Sequence, residues 1–344
     1  MFSSIRIIQS RIKQEKHIIG GVQMAFPIRF GVLGLGAALL LASGVQAQDF
    51  PTKPITLIVP FEASGSAPNT LARHLADRMQ AAWGQPVLVE NRPGAAGQVA
   101  AQYVAGSAPD GHTLMMGSVA THVLGRAMRE MEVDTLTAFE GISLFGYTPM
   151  LISANDDVGI DSIEDLVARA KEAPNTITYM SVGVGSAAHL AAELLQSVTG
   201  IEIIHVPYQG VAQATLDLVS GEVNIGFSNI INMVQFIEEG DVVPLAVTDV
   251  ERSPILPDTI AIAELYPEAT VELWWGLFAP AGTPAEVVDM LSEQVNAMVV
   301  EPDLVEEFAL GGATLRGSGP QELEDIVMAD FEKWSRIISE AGIE

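Results

Sequence analysis

From about residue 55 to residue 250, short runs of β-branched and aliphatic residues alternate with longer stretches whose apolar positions recur every three or four residues. That alternation is the strongest constraint on the fold. Strands buried on both faces need helices to cover them, so the rhythm predicts an α/β protein with largely parallel sheets. The first unit is the clearest: 55–59 reads as a buried strand, 62–68 as a loop of small residues, and 69–83 as a helix with Leu71, Leu75 and Met79 on one face. A strand at 86–90, a Pro-Gly-rich loop at 91–97 and a helix at 98–105 follow. Further strands are expected at 113–117, 176–182, 201–206, 223–227 and 242–247, with helices between most of them. At 344 residues the chain is too long for one small domain, which favours two lobes. Segments 147–153 and 245–250 are candidates for the extended connections between them. From Pro284 onward the chain reads as mostly helical, broken at Pro302 and at the Gly311-Gly312 pair.

Ahead of this pattern, Arg29 precedes an apolar run over 30–42 that closes on Val45-Gln46-Ala47, small residues at both positions a signal peptidase reads. Such a run makes about 20 Å of helix, short of a bilayer core of about 30 Å. Residues 1–47 are therefore expected to be a cleaved export signal, with Gln48 the first mature residue and the periplasm the destination. Translation could begin at Met1 or at Met24, since 24–29 alone makes an adequate n-region. The segment holds five Lys/Arg and one Asp/Glu, so its removal takes the formal charge from −26 to −30. A surface that acidic repels nucleic acid and anionic lipid, and nucleic acid is not an expected partner.

Chemistry is constrained as much by what is missing from the sequence. There is no cysteine, which excludes disulfides, thiol catalysis and Cys-ligated metals. His74, His112, His122, His189 and His205 form no HExxH or similar spacing, so no metal is expected. No nucleophile elbow or P-loop occurs, and no catalytic residue or cofactor is assigned. The sequence Gly183-Val184-Gly185-Ser186-Ala187-Ala188 resembles a dinucleotide fingerprint, but the next strand carries Glu202 at its start and ends in Val206-Pro207, without the acidic residue a ribose needs. The loop keeps a simpler use. Free N–H groups and the positive end of the dipole at a helix N-terminus favour any anion placed there. Ser64-Gly65-Ser66, before the Asn69 helix, has the same strand–loop–helix design, and two such ends facing across a cleft could hold a carboxylate without an arginine. Alternatively, Asn69 and Ser186 simply cap their own helices. His189, in the first turn of the second helix, and the pair Trp274-Trp275 are readable either as site or as core.

Several dispersed segments together carry a family resemblance: VPF at 59–61, VENRPGAAG at 89–97, APDGHTL at 108–114, YMSVGVGSAAHLA at 179–191, HVPYQG at 205–210, RSPILPD at 252–258 and WGLFAPAGTP at 275–284. The chain resembles the substrate-binding proteins of tripartite tricarboxylate transporters, the TctC or Bug family, over essentially its whole mature length. The resemblance implies a two-lobed, type II periplasmic-binding-protein (Venus-flytrap) fold with the ligand cleft between the lobes. Lobe 1 would comprise 48–149 plus 250–344 and lobe 2 150–249. It implies a monomer that captures a small carboxylate and hands it to an integral-membrane permease. Docking on a receptor ectodomain, a sensing role, is the alternative, and an exported enzyme is a more distant one. By the same resemblance Phe61, Ser64, Gly65 and Ser66 form one jaw and Gly183, Val184, Gly185 and Ser186 the other, with Ser118, Thr121, Ser228 and Asn229 completing the pocket; Asn69 and His189, at the starts of the two helices, are counted with them as candidate ligand-binding residues. The first jaw departs from the family's PFxPGGxxD: it reads PFEASGSAPN, one residue longer, with Asn69 in place of the acid. Ser228 stands where an Asp is common, and Gln209 where a Lys is. Two neutral positions beside the cleft predict a carboxylate without an amino group: a short dicarboxylate, a hydroxy acid, or an aromatic acid if Phe61 and a tryptophan face the pocket. Glu62 would supply a charge if it turned inward.

Overall fold

The computed structural model describes residues 50–63, 66–129 and 131–343, so the expected export segment 1–47 lies outside the described residues. The order of elements is β1 (Ile55–Val59), α1 (Ala67–Trp83), β2 (Val87–Asn91), α2 (Gln98–Ala105), β3 (Thr113–Ser118), a π-helical turn at Val119–Leu124, α3 (Gly125–Met128) and β4 (Phe139–Asn155). Then come α4 (Ile163–Glu172), β5 (Thr178–Ser181), α5 (Ala187–Thr199), β6 (Ile204–Pro207), α6 (Val211–Val219), β7 (Ile225–Asn229), α7 (Val234–Glu239) and β8 (Val242–Val247). The chain ends with β9 (Glu272–Pro280), α8 (Ala285–Met298), α9 (Pro302–Leu310), β10 (Thr314–Leu315) and α10 (Pro320–Glu340).

Two sheets share one strand. β2, β1 and β3 pair in parallel, β3 pairs antiparallel with β9, and β9 pairs antiparallel with residues 139–149 of β4. From Met150 to Asn155 the same strand changes partners, pairing antiparallel with β7 and β8, while β7, β5 and β6 continue in parallel. The expectation of largely parallel sheets therefore holds for the outer strands and fails at the centre. Here β4 and β9 run against their neighbours.

Alternation along β1 sets the layers. Ile55, Leu57 and Val59 pack with Leu71, Leu75 and Met79 of α1 and with Leu291 and Val295 of α8, whereas Ile58 turns to the opposite face among Ala100, Val104 and Met115. Helix α1 begins two residues earlier than its apolar periodicity suggests. Ser66 is the N-cap, and Pro68 fits the first turn, where a missing N–H costs nothing. β4 crosses 17 residues despite Gly141, Gly146 and Pro149 because register shifts absorb the irregularities on its β9 side. Gly146 adopts φ +149°, and a Cβ there would collide with the carbonyl of Thr314 on β10, so only glycine fits.

Where β4 changes partners, Thr248 ties three segments together. Its amide donates to Met150 O at 2.8 Å, its Oγ1 accepts from Met150 N at 2.8 Å and donates to Val271 O at 2.8 Å, and its own carbonyl accepts from Val271 N at 2.8 Å. The side chain is buried, so no water substitutes for these bonds. Thr248→Val keeps the shape but strands the Met150 N–H, and we expect a loss of about 1–3 kcal/mol. Urea unfolding of the variant should show an earlier midpoint; an unchanged midpoint would show that the crossing does not depend on this hydroxyl.

Candidate functional site

Loop ends from both sheets meet around a cavity of about 650 Å³. The β1–α1 loop supplies Phe61, Glu62 and Ser66, the end of β3 supplies Ser118, the β5–α5 loop supplies Gly185 and Ser186, the end of β7 supplies Asn229, and β9 supplies Trp274 and Trp275. Six of the residues expected from sequence thus face one space: Phe61, Ser66, Ser118, Gly185, Ser186 and Asn229. Ser64 and Gly65 lie outside the described residues. Ser228 lines a smaller adjoining cavity, and Gly183, Val184, Asn69, Thr121 and His189 line neither. Leu124, Gly125, Met128, Thr148 and Leu273 also line the larger cavity, and no local motif marked them.

Asn69 is wholly buried beneath the first jaw and builds it. Its Nδ2 donates to Glu62 O and Ser66 Oγ, both at 3.0 Å, and its Oδ1 accepts from Asn91 Nδ2 at 2.7 Å, which in turn donates to Phe61 O at 2.9 Å. An ionised carboxylate here would have no proton for the Glu62 carbonyl, and a protonated one would have a single proton where the amide gives two, to Glu62 O and Ser66 Oγ. The amide fits because this position gives and accepts. Thr121 and Ser118 form a reciprocal cap: Ser118 N donates to Thr121 Oγ1 at 3.0 Å and Thr121 N to Ser118 Oγ at 3.4 Å.

The second jaw is wired from behind by histidines. Gly185 N donates to His189 Nδ1 at 3.0 Å, which places the His189 proton on Nε2, 3.7 Å from Glu193 Oε1. Gly183 N donates to Ser181 Oγ at 3.0 Å, and that hydroxyl lies 2.6 Å from His205 Nε2. Ser186 N bonds Gly183 O at 3.2 Å, and Ser186 Oγ caps the helix by accepting from His189 N at 3.4 Å. Three of the loop amides are therefore spent holding the loop's shape. Among the described residues, the amides of Val184, Ala187 and Ala188 have no acceptor: Ala187 and Ala188 open the first turn of a 13-residue helix, and Val184 lies in the loop before it. Gly185 sits at φ +77°, and a Cβ there would strike Met128 across the cavity.

The two rings stack at 4.1 Å, and Tyr179 stacks on His205 at 4.9 Å while its hydroxyl donates to Glu193 Oε1 at 2.9 Å. Burial lowers the pKa of His189, and burial with the neighbouring His189 lowers that of His205 to about 4. His122, stacked on Phe278 at 3.9 Å, is pushed by burial to about 3. Among the described residues lining the larger cavity, the only ionisable side chain is Glu62. With no cation in that described lining, the half-unit positive end of α5 and its unpaired amides are the features that favour an anion.

A family model described as the tripartite tricarboxylate transporter family receptor matches residues 71–343. The chain belongs to this family. BugT of Bordetella pertussis is 32% identical to this receptor over 305 residues, covering 88% of this chain and 93% of its own. Among solved structures, Rpa4515 of R. palustris with adipate is 34% identical at a TM-score of 0.69, covering 86% of this chain and 99% of that one. MatC of Rhodopseudomonas palustris with bound malate is 29% identical at a TM-score of 0.65, covering 84% and 100%. The receptor is a periplasmic solute-binding protein with the two-lobed α/β fold of these relatives, and the family works with tripartite transporters.

The His205 and His122 shifts lie below the ordinary value of 6.5, so the unfolded chain binds more protons than the folded one between that value and the folded pKa. Their contribution to stability is intact above about pH 6.5 and is lost as pH falls toward 4 for His205 and toward 3 for His122. NMR titration of the ring protons should find both rings neutral at pH 6. A His205 midpoint at or above 6.5 would mean that the stack does not hold the ring neutral.

Proposed function

We propose that this receptor captures a small carboxylate in the cavity between the β1–α1 and β5–α5 loops and delivers it to an integral-membrane permease, without turning it over. The observation that carries the reading is the N-terminus of α5: an anion-favouring helix end, with unpaired amides at Ala187 and Ala188, beside a cavity whose described lining offers no cationic side chain. An anion held there has hydrogen bonds and a favourable dipole at no cost of desolvating a lysine or arginine. Rpa4515 with adipate and MatC with malate support the same ligand chemistry.

In this reading 48–149 plus 250–344 and 150–249 move as lobes about the crossing at Thr248. Closure excludes water and strengthens the amide–carboxylate bonds. Phe61, Ser66 and Ser118 contribute the first wall, and Gly185, Ser186 and Asn229 the second. Asn69, Thr121, Gly183 and His189 act by shaping those loops. The protein works as a monomer, reaches the periplasm through residues 1–47, and has Gln48 as its mature N-terminus. Among the described residues, no helix is long and apolar enough to cross a membrane. Intact-mass measurement of the exported protein should give the mass of 48–344; retention of 30–42 would overturn this route.

Adipate and malate are the first probes. A ligand at 100 times its Kd adds about 2.7 kcal/mol to stability, which a thermal-shift assay resolves. Gly185→Ala forces an L side chain into the left-handed region and against Met128, and it should weaken the better of the two acids at least tenfold, about 1.4 kcal/mol, with the circular dichroism unchanged. Unchanged calorimetric affinity in the folded variant would remove this loop from the site.

A further inference from the structure

A smaller cavity of about 170 Å³ adjoins the larger one, and the two share Ala187, Asn229 and Leu273. Its walls are mainly Met150, Met180, Val211, Ala214 and Phe227. The first residues of α5 stand at the junction, so a carboxylate held there points the rest of its molecule toward this apolar space. An apolar cavity of about 150 Å³ is enough to take benzene. Methionine sulfurs and a phenylalanine are favourable neighbours for an aromatic ring.

Charge decides against a second carboxylate. Among the described residues lining both cavities the only ionisable side chain is Glu62, and it is an acid. A dicarboxylate bound across the junction would bury a second anion in a mainly apolar wall, with no cation and only the start of the nine-residue α6 at Val211 to meet it, which is costlier than burying a ring. Of the polar side chains in the wall, Ser181, Ser228, Asn229 and Asn232, it is Ser228, 7% exposed, whose buried Oγ has no hydrogen-bond partner among the described residues. A neutral hydroxyl on the far side of a ring suits such a group; a charge does not.

We infer that the ligand is a monocarboxylic acid with a ring-sized apolar body, its carboxylate at the start of α5 and its ring in the smaller cavity beside Ser228. This rests on the carboxylate reading above and narrows it. Calorimetry on the exported protein should compare benzoate and 4-hydroxybenzoate with succinate, malate and adipate, and the ring acids should bind at least tenfold tighter. Ala214→Leu, which fills the smaller cavity, should weaken benzoate at least tenfold. Val211→Phe does the same from a half-exposed position at the start of α6, and serves if the first variant fails to fold. Tighter binding of any of the three dicarboxylates, or unchanged benzoate affinity in a folded variant, overturns this inference and leaves the carboxylate reading standing. Failure of all five acids to bind overturns both.

Discussion

Everything in this receptor hangs on one strand having two sets of partners. β4 pairs with β9 up to Pro149 and with β7 and β8 from Met150, so a single backbone belongs to both sheets. Proline is tolerated at the change because it stands at the last β9 pairing, opposite Glu272, where a missing ladder N–H costs least. Thr248 then replaces what an ordinary sheet would supply, bonding Met150 on one side and Val271 on the other. The site inherits its position from this arrangement. Thr148 lines the larger cavity and Met150 the smaller one, so the two compartments lie on either side of the same peptide pair. A change in the twist of β4 here would alter both at once.

The β5–α5 loop shows how a small anion site is made rigid without charge. Its glycines were readable as positions for close approach, and Gly185 does require the left-handed region. What the linear sequence hides is that the amides of Gly183, Gly185 and Ser186 point inward to Ser181, His189 and the loop itself. The donors left over are those that helix geometry always leaves over, at Ala187 and Ala188, together with Val184 in the loop before them. His189 therefore earns its place by acting as an acceptor, which only its neutral form can do, and burial keeps it neutral.

Legibility in the sequence followed the range of the forces. Strand 55–59, helix 98–105 and strand 242–247 were readable to the residue, because side-chain periodicity and turn residues are local signals. β9 and the first half of β4 were not. Glu272–Pro280 is apolar on both faces and shows no alternation, and β4 carries glycines and a proline whose tolerance depends on register shifts with a strand more than a hundred residues away. The antiparallel centre is invisible for the same reason, since pairing direction is a tertiary choice. In the site, small residues at strand ends were recognisable through motif resemblance. Met128, Thr148 and Leu273 were not, because they are brought to the cavity only by the packing of distant elements. Asn69 carried a real signal, a departure from an acid, but its meaning is structural: it must donate as well as accept under the jaw.

The whole chain carries a formal charge of −26 and yet the site proposed here takes an anion. The two scales do not conflict. Repulsion from dispersed surface carboxylates is screened over about 8 Å at physiological ionic strength, whereas the α5 amides act at hydrogen-bond distance inside a cavity where screening is weak. The acidic surface slows the approach of an anion, and the helix end holds it after arrival. That division explains how a wall with no lysine or arginine remains adequate: a cationic side chain there would recover less than its own desolvation cost, while the backbone donors are already in place when the loop is folded. It also limits the ligand. Each further negative charge repeats the long-range repulsion and meets, in the described lining of the smaller cavity, no cationic side chain and only the start of the nine-residue α6 besides that of α5, so the proposed preference for a single carboxylate follows from how few donors the fold leaves free rather than from any residue chosen to repel.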